Sequence, residues 1–165
     1  TTHIAELMGD KGVIVATDKD IVRLKKINEN IQRLGITSVK IFTYEKFLTE
    51  AKRNIVADVV LLDVPCSNTG VLAKRPEVRY RLNKKQIDEI TKTQTELLKF
   101  ASSLVTKDGK ICYSTCSILS EENSAIVKSF VCENKGFVLE KENLTLPNVG
   151  NFDCDGGYCA VVCKK

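Results

Sequence analysis

Two short stretches hold side chains that could do chemistry. In LLDVPCSNTG, Leu61 to Gly70, an apolar run ends on Asp63 and is followed by Pro65 and Cys66. In KICYSTCS, Lys110 to Ser117, a second apolar run delivers Cys116 between Thr115 and Ser117. A proline after a strand fixes φ and stops the chain extending, so Cys66 is aimed by a rigid turn. The hydroxyls beside Cys116 can hydrogen-bond a thiolate, and a lowered pKa would make that sulfur a nucleophile. The plainer reading of either cysteine is a packed structural thiol, the usual state of a free cysteine. Asp18, after VIVAT, has two readings. It caps the helix beginning near Asp20, or it accepts hydrogen bonds from a ribose, as acids do at this place in Rossmann-type sheets.

The elements that must position these residues alternate between strand and helix signals. GVIVATD reads as a buried strand ending at Asp18. Ile21, Leu24, Ile27, Ile31 and Leu34 then recur at helical spacing, and Gly35 supplies a stop. SVKIF and ADVVLLD read as strands, rich in β-branched residues. Asn83 with Gln86 three residues on reads as a capping box. It opens a helix with an apolar face of Ile87, Ile90, Leu97, Leu98, Ala101 and Leu104. GKICYST is the next strand. Ser120, with Glu121 and Glu122 in the first turn, reads as the cap of a helix carrying Ile126, Val127, Phe130 and Val131. GFVLEKENLTL and GGYCAVVCKK read as two closing strands joined by a long polar connection. Such alternation argues for an α/β, doubly wound, mostly parallel sheet with an antiparallel addition at its C-terminal edge. Asp18, Asp63 and Cys116 all fall where a strand stops, and sheets of this kind bind ligands there.

Composition narrows the class. The chain has 165 residues, enough for one domain with its own core. No apolar run is long enough to cross a bilayer, and TTHIAELMGDKG lacks a leader's charged and apolar parts. The expectation is a soluble, cytoplasmic protein. Seven cysteines, an odd number, fit a reduced compartment better than a disulfide framework. Cys112, Cys132, Cys159 and Cys163 lie in apolar runs and read as buried structural thiols, while Cys154 stays undecided. No CxxC pair occurs and the only histidine is His3, so no metal site is expected. The formal net charge of +4 is modest, but AKRPEVRYRLNKK gathers six Lys/Arg against one acid, with Tyr80 among them. That segment suits a phosphate backbone with a base stacked on the ring, or else a solvated linker.

LLDVPCSNTGVLAKRPEVRYRL, the string Q…LL…A…L…G…YSTCS….EN, and DGGYCAV together resemble the RNA 5-methylcytosine methyltransferases of the bacterial 16S ribosomal RNA methyltransferase B (Sun/Fmu) and NOL1/NOP2/Sun family. The likeness spans nearly the whole chain in the expected order, and the paired proline–cysteine and threonine–cysteine motifs are specific to that family. It implies a Rossmann-like class I fold dependent on S-adenosylmethionine. It also implies methyl transfer to carbon 5 of cytosine in RNA, ribosomal RNA first and transfer RNA as the alternative. Carbon 5 is a poor nucleophile until a thiolate adds to carbon 6 and makes it enamine-like; a base must later take the carbon-5 proton so that the enzyme thiol can leave. By resemblance Cys116 is the nucleophile and Cys66 assists release. Asp63 contacts the cytosine edge at nitrogen 3 and lies near the cofactor, Pro65 shapes the pocket floor, and Asp18 takes the cofactor ribose. Lys74, Arg75 and Pro76 match the basic motif beside the site. The target base must be unstacked to react, which favours an opened RNA segment.

The sequence also departs from that pattern. No glycine-rich cofactor loop or strand before it occurs, Thr43 and Tyr44 stand where an acid often holds the adenine side, and the late motif reads Asp155-Gly156-Gly157-Tyr158. The expectation is therefore one catalytic domain over 1–165, truncated at its N-terminus and binding the cofactor weakly. A non-catalytic RNA-binding fragment is the reading of a different class, and retention of both cysteines argues against it. Oligomeric state is not legible.

Overall fold

Local chemistry sets the helix boundaries. The computed structural model describes residues 1–148 and 153–165, the backbone alone at 51–54. It contains two compact units, Thr1–Ile55 and Val56–Lys165. In the first, helix α1 (Thr2–Leu7) precedes strand β1 (Ile14–Asp18) and helix α2 (Ile21–Leu34). Asp20, not Asp18, caps α2, its side chain accepting from Val22 N at 2.8 Å. Gly35 ends that helix at φ 65°, a left-handed conformation that costs glycine nothing. Strand β2 (Val39–Thr43) runs parallel to β1, from Ile14 opposite Val39 to Asp18 opposite Thr43. Thr43 then caps helix α3 (Tyr44–Asn54). The Asp10 carboxylate takes three hydrogen bonds from Thr37 and Ser38, tying the turn after α1 to the start of β2.

The expectation of a buried first strand is corrected here. Ala16 alone is buried in β1, and Val13 is 62% exposed. Among the described residues β1 pairs only with β2, so its other edge has no strand beside it to exclude water.

In the second unit, strand β3 (Ala57–Asp63) leads through a 3-10 turn (Thr69–Val71) and the short helix α4 (Val78–Arg81) to helix α5 (Lys84–Leu104). Asn83 caps α5 as the sequence predicts, accepting from Gln86 N at 3.0 Å. Strand β4 (Val105–Thr115) follows, then a 3-10 turn (Ser120–Glu122), helix α6 (Ser124–Glu133), and strands β5 (Phe137–Thr145) and β6 (Gly157–Lys164). The sheet order is β3-β4-β6-β5. β3 and β4 are parallel, with Asp63 opposite Ser114, while β6 runs antiparallel to both β4 and β5. Part of the β5–β6 connection, residues 149–152, lies outside the described residues. Leu98 and Ala101 of α5, Ile111 and Tyr113 of β4, Val127 and Phe130 of α6, and Ala160 and Val162 of β6 form the core. Each large apolar side chain among them contributes roughly 2 kcal/mol of burial.

Two further expectations change. Ser120 caps no helix; the segment from Ser120 is a 3-10 turn, and α6 starts at Ser124 with no side-chain cap. The backbone winds this way because the Glu122 side chain is drawn inward and fully buried. Nor are the four structural thiols buried. Cys132 is exposed, and Cys112, Cys159 and Cys163 are half-buried. Along β6 the inward positions are Tyr158, Ala160 and Val162, so the period-2 pleat turns Cys159 and Cys163 to the other face.

Candidate active site

Because β3 and β4 are parallel neighbours, the segments leaving their carboxyl ends emerge side by side. Cys66 lies three residues past β3 and Cys116 one residue past β4, and their sulfurs stand 3.1 Å apart, both half-buried. Cys116 Sγ donates to Asn68 Oδ1 at 3.0 Å, and Asn68 Nδ2 donates to the Cys66 carbonyl at 3.1 Å. The Cys66 carbonyl therefore fixes which end of the amide faces the sulfur. With the one proton of Cys116 directed at Asn68, Cys66 is the donor in the sulfur–sulfur contact. Burial, and then the hydrogen bond with Cys116, push the Cys66 thiol up to about 12. Cys66 thus keeps its proton at neutral pH and presents it to the neighbouring sulfur.

Hydroxyl and amide groups hold the two turns. Ser67, Thr69 and Ser117 bond to one another through their hydroxyls. Gly70 N donates to the Cys116 carbonyl at 2.9 Å, and Gly156 N donates to the Gly70 carbonyl at 2.7 Å. A side chain at Gly70 would meet the Gly156 and Cys116 backbone. Asn123 clasps the turn of Cys116, accepting from Thr115 Oγ1 at 2.6 Å and donating to the Ser117 carbonyl at 2.9 Å. Glu122 takes hydrogen bonds from Ser67 N, Gln94 Nε2 and Ser117 Oγ.

The other residues singled out in the sequence are distributed around this pair. Asp63 is exposed at the end of β3, opposite Ser114. Pro65 is exposed, and its carbonyl accepts from Gln94 Nε2 at 2.9 Å. Lys74 pairs with Asp155, while Arg75 and Pro76 are exposed. A cavity of about 250 Å³ is lined by Thr115, Asn143, Thr145, Asp155, Tyr158 and Cys159 among others, but not by Cys66 or Cys116. Asp18 belongs to the first unit. It ends β1, its Oδ1 accepts from Asp20 N at 2.8 Å, and its Oδ2 has Arg23 at 3.6 Å. Among the described residues no cluster of His, Cys, Asp and Glu could hold a metal, and no helix is long and apolar enough to cross a membrane.

Two thiols converging from adjacent strand ends, in this order of motifs, can be set against known families. The family model described as 16S rRNA methyltransferase RsmB/F matches residues 1–155. This chain belongs to that family. The Synechocystis sp. protein named "Probable ribosomal RNA small subunit methyltransferase B" is 39% identical over 148 residues, which is 89% of this chain and 33% of that protein. A tRNA (cytosine(72)-C(5))-methyltransferase of Pyrococcus horikoshii is 36% identical over 91% of this chain and 37% of its own length. The crystal structure titled NSun6 from Pyrococcus horikoshii with SFG matches at TM-score 0.79 and 32% identity, over 99% of this chain and 44% of that one. This chain thus spans about a third of the length of the curated relatives it matches. The fold is Rossmann-like, of the class I methyltransferase kind expected from the sequence.

Several residues that surround the thiol pair escaped the sequence reading. Asn68 was part of a polar loop, and its contact with Cys116 depends on a left-handed backbone at φ 63° that SNTG does not announce. Gln94 left a signal: a glutamine on the apolar stripe of α5, four residues after Ile90 and four before Leu98, and it is fully buried. Glu122 and Asn123 stood in the quoted family string without a role. Their acid and amide looked like the ordinary polar start of a helix.

Proposed function

We propose that this chain carries the reaction centre for methyl transfer from S-adenosylmethionine to carbon 5 of cytosine in RNA, with 16S ribosomal RNA the first candidate substrate. The observation that carries this reading is the 3.1 Å approach of Cys66 and Cys116 sulfurs at neighbouring strand ends. A pure RNA-binding module has no use for such a pair. The name of the Pyrococcus horikoshii relative supports cytosine as the base and keeps transfer RNA as the second reading, while that of the Synechocystis relative supports ribosomal RNA.

In this mechanism Cys116 reacts as the thiolate, and the Cys66 thiol hydrogen-bonds it. The Cys116 sulfur forms a bond to carbon 6, and the electron pair of the ring double bond moves toward nitrogen 3. Asp63 donates to or hydrogen-bonds nitrogen 3 as charge gathers there. Carbon 5, now enamine-like, takes the methyl group; the cofactor, when bound, supplies that methyl on a sulfonium. A water molecule acting as base takes the carbon-5 proton, the C–H electron pair restores the ring double bond, and the sulfur–carbon 6 bond breaks with its pair returning to Cys116. Cys66, which keeps its own proton, hydrogen-bonds the departing sulfur and so assists release. Asp18 fits one part of the cofactor, a ribose diol, because among the described residues its Oδ2 has only the long contact with Arg23. We take Arg75 with Arg79 and Arg81 as phosphate contacts, and both units as one catalytic domain.

The test is methyl transfer to ribosomal and transfer RNA together with gel analysis of covalent adducts. Cys116→Ala is expected to lose both methylation and adduct. Cys66→Ala is expected to accumulate RNA covalently bound to protein. Methylation by Cys116→Ala at the wild-type rate would reject the nucleophile.

A further inference from the structure

Glu122 has no part in the reaction just described, yet it touches the residue that follows each cysteine. It is fully buried, and among the described residues it makes no ion pair. A buried carboxyl group is retained only where hydrogen bonds replace its lost water. Three do so here. Glu122 Oε2 accepts from Ser67 N at 2.8 Å and from Gln94 Nε2 at 3.1 Å, and Oε1 accepts from Ser117 Oγ at 2.7 Å. Ser67 follows Cys66; Ser117 follows Cys116. Gln94 Nε2 also reaches the Pro65 carbonyl at 2.9 Å. The peptide groups on both sides of Cys66 are therefore held by one Gln94–Glu122 pair. The Glu122 main chain is anchored in turn, its carbonyl accepting from the buried Tyr113 hydroxyl of β4 at 2.7 Å.

We propose that Glu122 is a positioning residue that sets the distance between the two thiols, with Gln94 as its second arm. Each oxygen of the carboxyl group serves a different turn, so its fixed width becomes the spacing between those turns. The role in turnover rests on the methyltransferase reading; the geometric role does not. Other ties link the turns, among them Gly70 to Cys116. Glu122 differs in reaching both from outside, on a segment that contributes no group to the reaction.

The test needs neither RNA nor methyl donor. The protein is treated with diamide, whose N=N bond takes two electrons and two protons as the Cys66 and Cys116 thiols close to a disulfide. Cross-linking is followed by mass spectrometry, with alkylation of the exposed Cys132 as an internal clock. Glu122→Ala is expected to slow closure of the 66–116 pair by about tenfold or more, since a misplacement near 1 Å can cost about a hundredfold in rate. Glu122→Gln keeps an acceptor for Ser67 and Gln94 and a donor for Ser117, so it is expected to restore most of the rate. If Glu122→Ala does not fold, Ser117→Ala removes the arm to the Cys116 turn, together with the Ser117 hydroxyl bonds to Ser67, Thr69 and Leu119, and is expected to slow closure in a folded protein. A merely structural Glu122 would lower the melting temperature and leave closure below melting at the wild-type rate. That result, in Glu122→Ala or in Ser117→Ala, would overturn the proposal. In the methylation assay the same variants are expected to lose kcat with KM for RNA unchanged. Full-length wild-type protein that transfers no methyl to any RNA would sink the function while the cross-linking result stood.

Discussion

Cys66 and Cys116 are the same side chain in two electrostatic settings. The Asn68 amide receives the Cys116 proton, and Cys66 turns its own proton toward Cys116. Burial raises the Cys66 thiol from its ordinary 9.0 to about 12, and a stability effect of definite sign follows. Below the ordinary value both folded and unfolded chains keep the proton, and nothing changes. As pH rises past it the unfolded chain ionises while the folded chain does not, so the unfolded state binds fewer protons and stability falls until the folded value is reached. The melting temperature of wild type relative to Cys66→Ala is expected to drop between about pH 9 and about pH 11 and to stay level below. A constant difference across that range would show that the Cys66 proton is not held. Both thiols were legible in the sequence because each ends an apolar run. Asn68 and Glu122 were not, since one needs a left-handed backbone and the other an inward turn, and neither leaves a periodicity to read.

At the scale of elements, the site is set by where β3 and β4 stop and by how closely the chain can pass beyond them. Gly70 marks the closest passage, hydrogen-bonded to Cys116 on one side and to Gly156 on the other. A Cβ there would press on backbone atoms of Gly156 and Cys116, which cannot rotate away as a side chain could. Gly70→Ala is expected to displace the Cys116 turn and to cut methyl transfer about tenfold or more, with a measurable fall in melting temperature. Retained activity with retained stability would mean that this passage is looser than it stands here. Strands β2 and β3 were readable from their β-branched residues, β4 from its apolar run, and helices α2 and α5 from apolar spacing and side-chain caps. The 3-10 turn at Ser120 was not. Its sequence is a good helix start, and the pull on Glu122 from Ser67, Gln94 and Ser117 comes from residues distant in the chain.

At the scale of the whole molecule, charge and sheet order matter more than any one contact. The positive segment around α4 exposes Arg75, Arg79, Arg81, Lys84 and Lys85, with Tyr80 at 91% exposure among them. If these bind RNA phosphates, affinity falls linearly on a log–log plot against salt, and each contact removed lowers that slope by about one. Arg79→Ala and Arg81→Ala are each expected to do so in filter binding across a salt series. An unchanged slope would assign the segment to solvent. Within the four-stranded sheet β4 is flanked on both edges, by β3 and by β6, and it ends in the turn that carries Cys116. Cys116, the proposed nucleophile, follows directly on that strand, so the backbone that anchors it gives way only when an interior strand opens on two sides at once.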